Sequence, residues 1–316
     1  MKRNIYSYSK LWMILFVLMG AACTNQVEDA IPVSGQPIEF SVQSDWKEIP
    51  NTRLNDDGTQ FVKDDQIQIF GLHKSLSGEV KKFMYDVKNP NYGQIVTYDG
   101  NSSWNYTPKR FWPKEGNLEF YASYPYNSIR YDADNHTKIY DQTVNSMKQD
   151  LLWGVSTMND CAAKNNVVIT MKHALAKVNI SIDNSWGNIG TVMFSAYKAG
   201  RFTKTDDSGI PAWEFKDDDK TPFTAVFGYY DLIRDNTTGS TSLTVFILPG
   251  NITEFQMFDD HNPGNRIDAS TEISNRIKNL TFDAGKEYNL KISSTRVRKK
   301  NTNSRSIAMS VRCVSE

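Results

Sequence analysis

The chain has 316 residues, with 36 Lys and Arg against 36 Asp and Glu, 39% hydrophobic and 12% aromatic residues, and a mean hydropathy of -0.52. That length allows roughly two domains of about 150 residues, each with a sizeable core. Balanced charge and abundant Tyr, Phe and Trp exclude a disordered chain, a multi-span membrane protein and a nucleic-acid binder held by a basic field. Three cysteines are too few for a disulfide framework or a four-ligand zinc site.

The first 22 residues read as an export signal. Lys2, Arg3 and Lys10 precede the apolar run Leu11 to Met19, which is too short to span a bilayer stably and ends in Gly20-Ala21-Ala22-Cys23. Small residues before a cysteine form a degenerate lipobox, with Gly20 where Leu is usual and Leu18 two positions early. Cleavage there leaves Cys23 to be acylated, so the expected anchor is membrane lipid. With the leader removed the chain is net acidic, apart from the stretch after Thr295, which holds Arg296, Arg298, Lys299, Lys300, Arg305 and Arg312 against Glu316 alone. No nucleic-acid partner is expected. Residues 24–36, polar with Pro32 and Gly35, read as a tether.

From Ile38 the pattern turns to period two. Ile38, Phe40 and Val42 alternate with Glu39, Ser41 and Gln43, which predicts a strand with one face in a core and one in water. The same reading predicts strands at Gln66–Leu72, Leu118–Tyr124, Val167–Met171, Lys177–Ile182, Thr191–Tyr197, Leu243–Leu248 and Tyr288–Ile292, separated by turn clusters such as Asp99-Gly100-Asn101 and Asp206-Asp207-Ser208-Gly209. No segment of twelve residues keeps a helical apolar stripe, although Glu272 to Asn279 has room for one or two turns. The expected fold is all-β, with two β-sandwiches in tandem, since crossover helices for a βαβ fold are missing. The polar run Asn159 to Asn166 sets the expected boundary: residues 37–165 form the first sandwich, 166–294 the second, and 295–316 a basic linker with a terminal strand.

Signatures of chemistry are missing from the sequence. It has no Gly-x-Ser-x-Gly, His-Glu-x-x-His or Cys-x-x-Cys motif and no phosphate-binding Gly-rich loop, so no enzyme, cofactor or metal is expected. The acidic pairs Asp64-Asp65, Asp206-Asp207 and Asp259-Asp260 do not fit a calcium loop and read as solvated turns. His173 reads as a core-edge imidazole paired to backbone. The aromatic cluster Trp104, Tyr106, Phe111, Trp112, Phe120, Tyr121, Tyr124 and Tyr126 reads as sandwich core, with a sugar-stacking platform as the alternative. Cys161 and Cys313 can pair only if the C-terminal tail folds back.

Taken in order, several of these segments resemble the fimbrillin family, the lipoprotein pilins and accessory subunits of type V pili. They are the lipobox, Pro37-Ile38-Glu39-Phe40, Thr52-Arg53, Asp64 to Phe70, Phe111-Trp112-Pro113 before Leu118 to Pro125, Asp150-Leu151-Leu152, His173 to Val178, and Leu248-Pro249-Gly250. The resemblance implies transthyretin-like sandwiches exported as an outer-membrane, surface-exposed lipoprotein. It also implies an Arg-specific surface protease that cuts between Arg53 and Leu54 and so removes the strand holding Ile38, Phe40 and Val42. A strand from a like or related pilin subunit then fills the groove, which is β-augmentation. Arg53 lies in a polar, proteolysis-prone run, although many loops hold a solvated arginine. An alternative is a monomeric surface lipoprotein that binds glycan or host protein. The terminal segment alternates Ile307, Met309, Val311 and Cys313, and three readings stand: a donor strand for a neighbour, a strand folded onto its own second domain, or disorder.

Overall fold

The computed structural model describes residues 31–44, 61–132, 137–183, 186–261, 265–267, 277–278, 280–299 and 302–314; the side chains of residue 144 and of residues 294–314 are outside that description. The first half runs β1 (Val33–Pro37), β2 (Phe40–Ser44), β3 (Gln66–Lys74), β4 (Val80–Met84), β5 (Gln94–Tyr98), β6 (Trp104–Asn105), β7 (Phe111–Pro113), β8 (Asn117–Tyr124), β9 (Ile129–Tyr131), β10 (Lys138–Asp141), the single-turn helix α1 (Val144–Met147), β11 (Leu152–Asp160) and β12 (Val167–His173). The second half runs β13 (Ala176–Asp183), β14 (Ile189–Tyr197), β15 (Ala199–Phe202), β16 (Pro222–Phe227), β17 (Ile233–Asp235), β18 (Ser240–Ile247), β19 (Glu254–Asp259), β20 (Glu287–Lys299) and β21 (Thr302–Val314). The chain is all-β, as the alternation predicts. The turn expected over Glu272–Asn279 falls mostly outside the described residues.

The first half is built on an eight-stranded sheet in the order β2-β12-β11-β8-β3-β5-β6, with β4 added beside β3. Its inner face carries Ile67, Ile69, Leu118, Phe120, Ala122, Val167 and Ile169 into one core, capped by Trp104, Tyr106 and Trp112. The second half is a sandwich. A five-stranded sheet, β17-β18-β13-β20-β21, packs on a three-stranded sheet, β16-β14-β19. Val178, Ile180, Val245 and Leu290 of the larger sheet meet Val192, Phe194, Phe227, Phe255 and Met257 of the smaller in one buried core.

A third apolar cluster joins the halves, because the first sheet is buried on both faces. Phe70 and Leu72 of β3 point away from the first core and pack with Tyr131, Trp153, Phe202, Phe246 and Leu248. That double burial leaves almost every residue of β3 buried, including the polar Gln68, whose amide donates to the Ile129 carbonyl at 2.7 Å. Phe70 stacks on Tyr131 with centroids 3.9 Å apart, and Trp153 meets Phe202 edge-on at 4.8 Å. The backbone crosses the same seam, since β10 pairs with both β9 and β15. Gln142 adds a two-sided bridge, donating to the Phe246 carbonyl at 3.1 Å and accepting from the Leu248 N–H at 3.2 Å.

Two expectations on organisation meet differences. β12 lies between β2 and β11 in the first sheet, so the sheets divide between His173 and Ala176 rather than near residue 165. Ala174 and Leu175 at that division are themselves buried in the seam, which hides the break from any shift in composition. Residues 33–36, expected to lie in a tether, fall within β1, which pairs with β7 from Val33 opposite Pro113 to Pro37 opposite Phe111.

Candidate assembly groove at the first strand

The segment from Pro32 to Ser44 passes from one wall of the first unit to another. On one side the Lys114 N–H donates to the Pro32 carbonyl and the Ile38 N–H donates to the Arg110 carbonyl, both at 2.9 Å. On the other, the Val167 N–H donates to the Glu39 carbonyl at 3.0 Å, and β2 runs parallel to β12 from Phe40 beside Val167 to Ser44 beside Met171. The chain therefore spans the opening between β7 and β12. β2 ends the path of the eight-stranded sheet, so it is bound through β12 on one side.

The expected alternation holds in the side chains. Ile38 and Phe40 are buried and Val42 is half-buried, while Glu39, Ser41 and Gln43 face water. The Phe40 ring sits edge-on to Phe120 at 5.1 Å and to Tyr106 at 5.7 Å. Tyr106 also donates its hydroxyl to the Ile38 carbonyl at 2.7 Å, tying the aromatic wall to the segment's backbone. Burial pushes the Tyr106 phenol up to about 12, so it remains a donor at neutral pH. The outer edge is held more lightly. Asn166 donates to Ser41 at 2.7 Å and Gln43 to Thr170 at 3.1 Å, both exposed side-chain bonds. Taken away, this segment would leave a trough lined by Tyr106, Phe120, Val167 and Ile169.

The other expected site residues distribute as follows. Cys23, Arg53 and Leu54 lie outside the described residues. Ile307, Met309 and Val311 stand in β21, whose backbone pairs antiparallel with β20, placing Ile307 opposite Ser294, Met309 opposite Ile292 and Val311 opposite Leu290. The tail thus forms a hairpin with the last strand of the second sheet. Of the aromatic cluster, Trp104, Tyr106, Trp112, Phe120 and Tyr124 are core, whereas Phe111 and Tyr126 are exposed. The Nδ1 of His173 pairs with the Asp150 carboxylate. Cys161 is buried and free, and burial pushes its thiol up to about 11, so it is a packed hydrophobe rather than a reactive group. Asp206 accepts the N–H groups of Ser208 and Ile210, as expected of a turn. Among the described residues no group of His, Cys, Asp and Glu is arranged to hold a metal ion.

The class of protein defined here is an all-β chain of two joined cores, whose N-terminal segment completes its own first sheet at an edge. The chain belongs to the Fimbrillin-like family, whose model matches residues 52–309. It is similar in fold to a crystal structure described as a candidate cell adhesion protein from Bacteroides uniformis, at 16% identity over 87% of this chain and 97% of that one, with a TM-score of 0.51. A candidate cell adhesion protein from Bacteroides ovatus matches at 12% identity over 89% and 99% of the two chains, with a TM-score of 0.47. A candidate polysaccharide-binding protein from Bacteroides thetaiotaomicron matches at 12% identity over 88% and 99%, with a TM-score of 0.43. No curated protein matches the chain.

Proposed function

We propose that this chain is a non-enzymatic structural or accessory subunit of a surface fimbria, exported as a lipoprotein acylated at Cys23 and carried to the outer membrane. An Arg-specific protease cuts after Arg53, the segment with Ile38, Phe40 and Val42 leaves, and a strand of a related subunit enters the trough. The donor is the C-terminal strand with Ile307, Met309 and Val311, which must first leave β20 of its own chain. The observation that carries the reading is the placement of residues 32–44: N-terminal, core-filling at Ile38 and Phe40, and strand-paired only through β1 to β7 and through β2 to β12. Membership of the Fimbrillin-like family supports it.

Limited digestion of the chain lacking residues 1–23 with an Arg-specific protease tests the first step. A new N-terminus at Leu54 together with heat-stable ladders on a gel is the expected result. Resistance of Arg53 and a monomeric product would remove the shaft role and leave an anchor, a tip or a free-standing binding lipoprotein. Deleting residues 295–316 tests the donor, and polymers of unchanged length in that variant would rule the tail out.

A further inference from the structure

Exposed apolar residues gather at one end of the first half. Val33, Leu76, Val80, Met158 and Val168 are all exposed, and each lies within two residues of a strand terminus at that end. Lys74 stands opposite Asn117, and Asn117 opposite Asp160, so the turns after β3, before β8 and after β11 are neighbours. The turns interlock, with His73 Nε2 bonding the Glu115 carbonyl at 2.9 Å and the Cys161 N–H donating to the Gly116 carbonyl at 3.1 Å. Leu76 occupies the tip of the β3–β4 hairpin, which the Gly78 N–H closes by donating to the Ser75 carbonyl at 3.0 Å, and it is 76% exposed. Met158 stands in a bulge of β11 at φ +59° and is 73% exposed. Neither residue belongs to a core cluster.

The N-terminal chain enters at the same end. The Lys114 N–H donates to the Pro32 carbonyl at 2.9 Å, and Val33 lies opposite Pro113. Residues 24–30 alone lie between Cys23 and Ile31, where the described chain begins. Fully extended, that stretch reaches at most about 29 Å. An acyl group on Cys23 therefore holds this end of the first half toward the bilayer. The charges around it nearly cancel, Lys74, Lys81, Lys114 and Lys164 against Glu79, Glu115 and Asp160. What the surface offers a membrane is apolar contact rather than a basic field.

We propose that this end is a membrane-seating surface, in which Leu76 and Met158 enter the headgroup region of a phospholipid bilayer and Val33 and Val80 extend the contact. The choice of lipid as the occupant rests on acylation at Cys23, as proposed above. The test uses the chain lacking residues 1–23, which carries no acyl group, floated on a density gradient with an excess of vesicles of phosphatidylethanolamine and phosphatidylglycerol. Flotation is expected, and it should survive high salt because the contact is apolar. Leu76→Asp and Met158→Asp, both at exposed positions, should each weaken it about tenfold with unchanged thermal melting. Val87→Asp, at an exposed position beyond the far end of β4, should leave it unchanged. The proposal is overturned if the parent does not float, if both of the first two variants float as well as the parent, if Val87→Asp weakens flotation equally, or if high salt abolishes it. Acylation is read separately, from the intact mass of the protein extracted from its own membranes. An unmodified Cys23 there would remove the lipoprotein reading and leave the vesicle result standing.

Discussion

The two halves of the molecule close their sheets with the same device placed differently. Among the described strands, β2 beside β12 and β20 beside β13 are the parallel pairs, and all other pairings are antiparallel. Each joins segments more than a hundred residues apart, Phe40 with Val167 and Glu287 with Lys177. In the first half the parallel strand β2 is the edge. In the second, β20 is interior, held by β13 along Glu287–Ile292 and by β21 along its whole length. Both strands send apolar side chains inward, Phe40 in one case, with Ile38 just ahead of it, and Leu290 and Ile292 in the other. Hydrophobicity therefore does not distinguish the two strands; position in the sheet does. Removing β2 uncovers one edge, whereas removing β20 would cut its sheet in two.

The sharpest way to break this comparison is to weaken the core contribution of the edge strand. Phe40→Ala removes a ring packed on Phe120 and Tyr106 and should cost about 3–5 kcal/mol, read as a lower guanidinium midpoint. A loss below about 1 kcal/mol would mean that the strand is not part of the cooperative core.

A second effect sits at the seam. Lys138 donates to the Thr203 carbonyl at 3.0 Å with its ammonium 4.2 Å from the centroid of Tyr121, and burial lowers its pKa from 10.5 to about 8. The unfolded lysine holds its proton where the folded one has released it, so stability should climb with pH between about 8 and 10.5. The gain is on the order of 2–3 kcal/mol at most. Above about pH 10 the buried phenols of Tyr106, Tyr131 and Tyr140, all raised by burial, work the other way, because unfolding lets them ionise. Comparing wild type with Lys138→Met across pH 8–10 isolates the lysine; parallel curves would contradict its assignment.

Two smaller changes grade the hold on the first strand. Tyr106→Phe deletes the hydroxyl donated to Ile38 and should cost about 1 kcal/mol, while making the Arg53-cleaved segment leave faster. Val42→Ala, at a half-buried position beyond the aromatic wall, should cost about 1 kcal/mol or less by the same denaturation.

Much of this architecture was legible from alternation alone. The eight strands read from the sequence all have counterparts, within a few residues at their ends, because each buries at least one face in a core. Several of the strands that escaped are short or weakly patterned, although the nine-residue β11 and the alternating β19 escaped too. β6 and β7 span two and three residues, β4 mixes Lys81 and Lys82 with Phe83, and β1 contains Gly35 at φ +83° and ends at Pro37. These are held by backbone partners distant in sequence, which period-two patterning does not report. The domain division was misplaced for a related reason, since β12 and β13 are both apolar yet lie in different sheets. The trough was half legible: Ile38, Phe40 and Val42 follow from the pattern, but the role of Tyr106 as donor to Ile38 is a three-dimensional fact.

The central claim is that the segment 32–44 is replaceable, with β2 as the edge that completes the first sheet. Hydrogen exchange at the β12 amides, Val167 to Met171, measures it directly, before cleavage at Arg53, after separation of the released segment, and again after polymerisation. The account predicts protection, then loss of protection in the cleaved monomer, then its return as a neighbour's strand takes the place of β2. Protection that persists unchanged in the cleaved, separated monomer would contradict it.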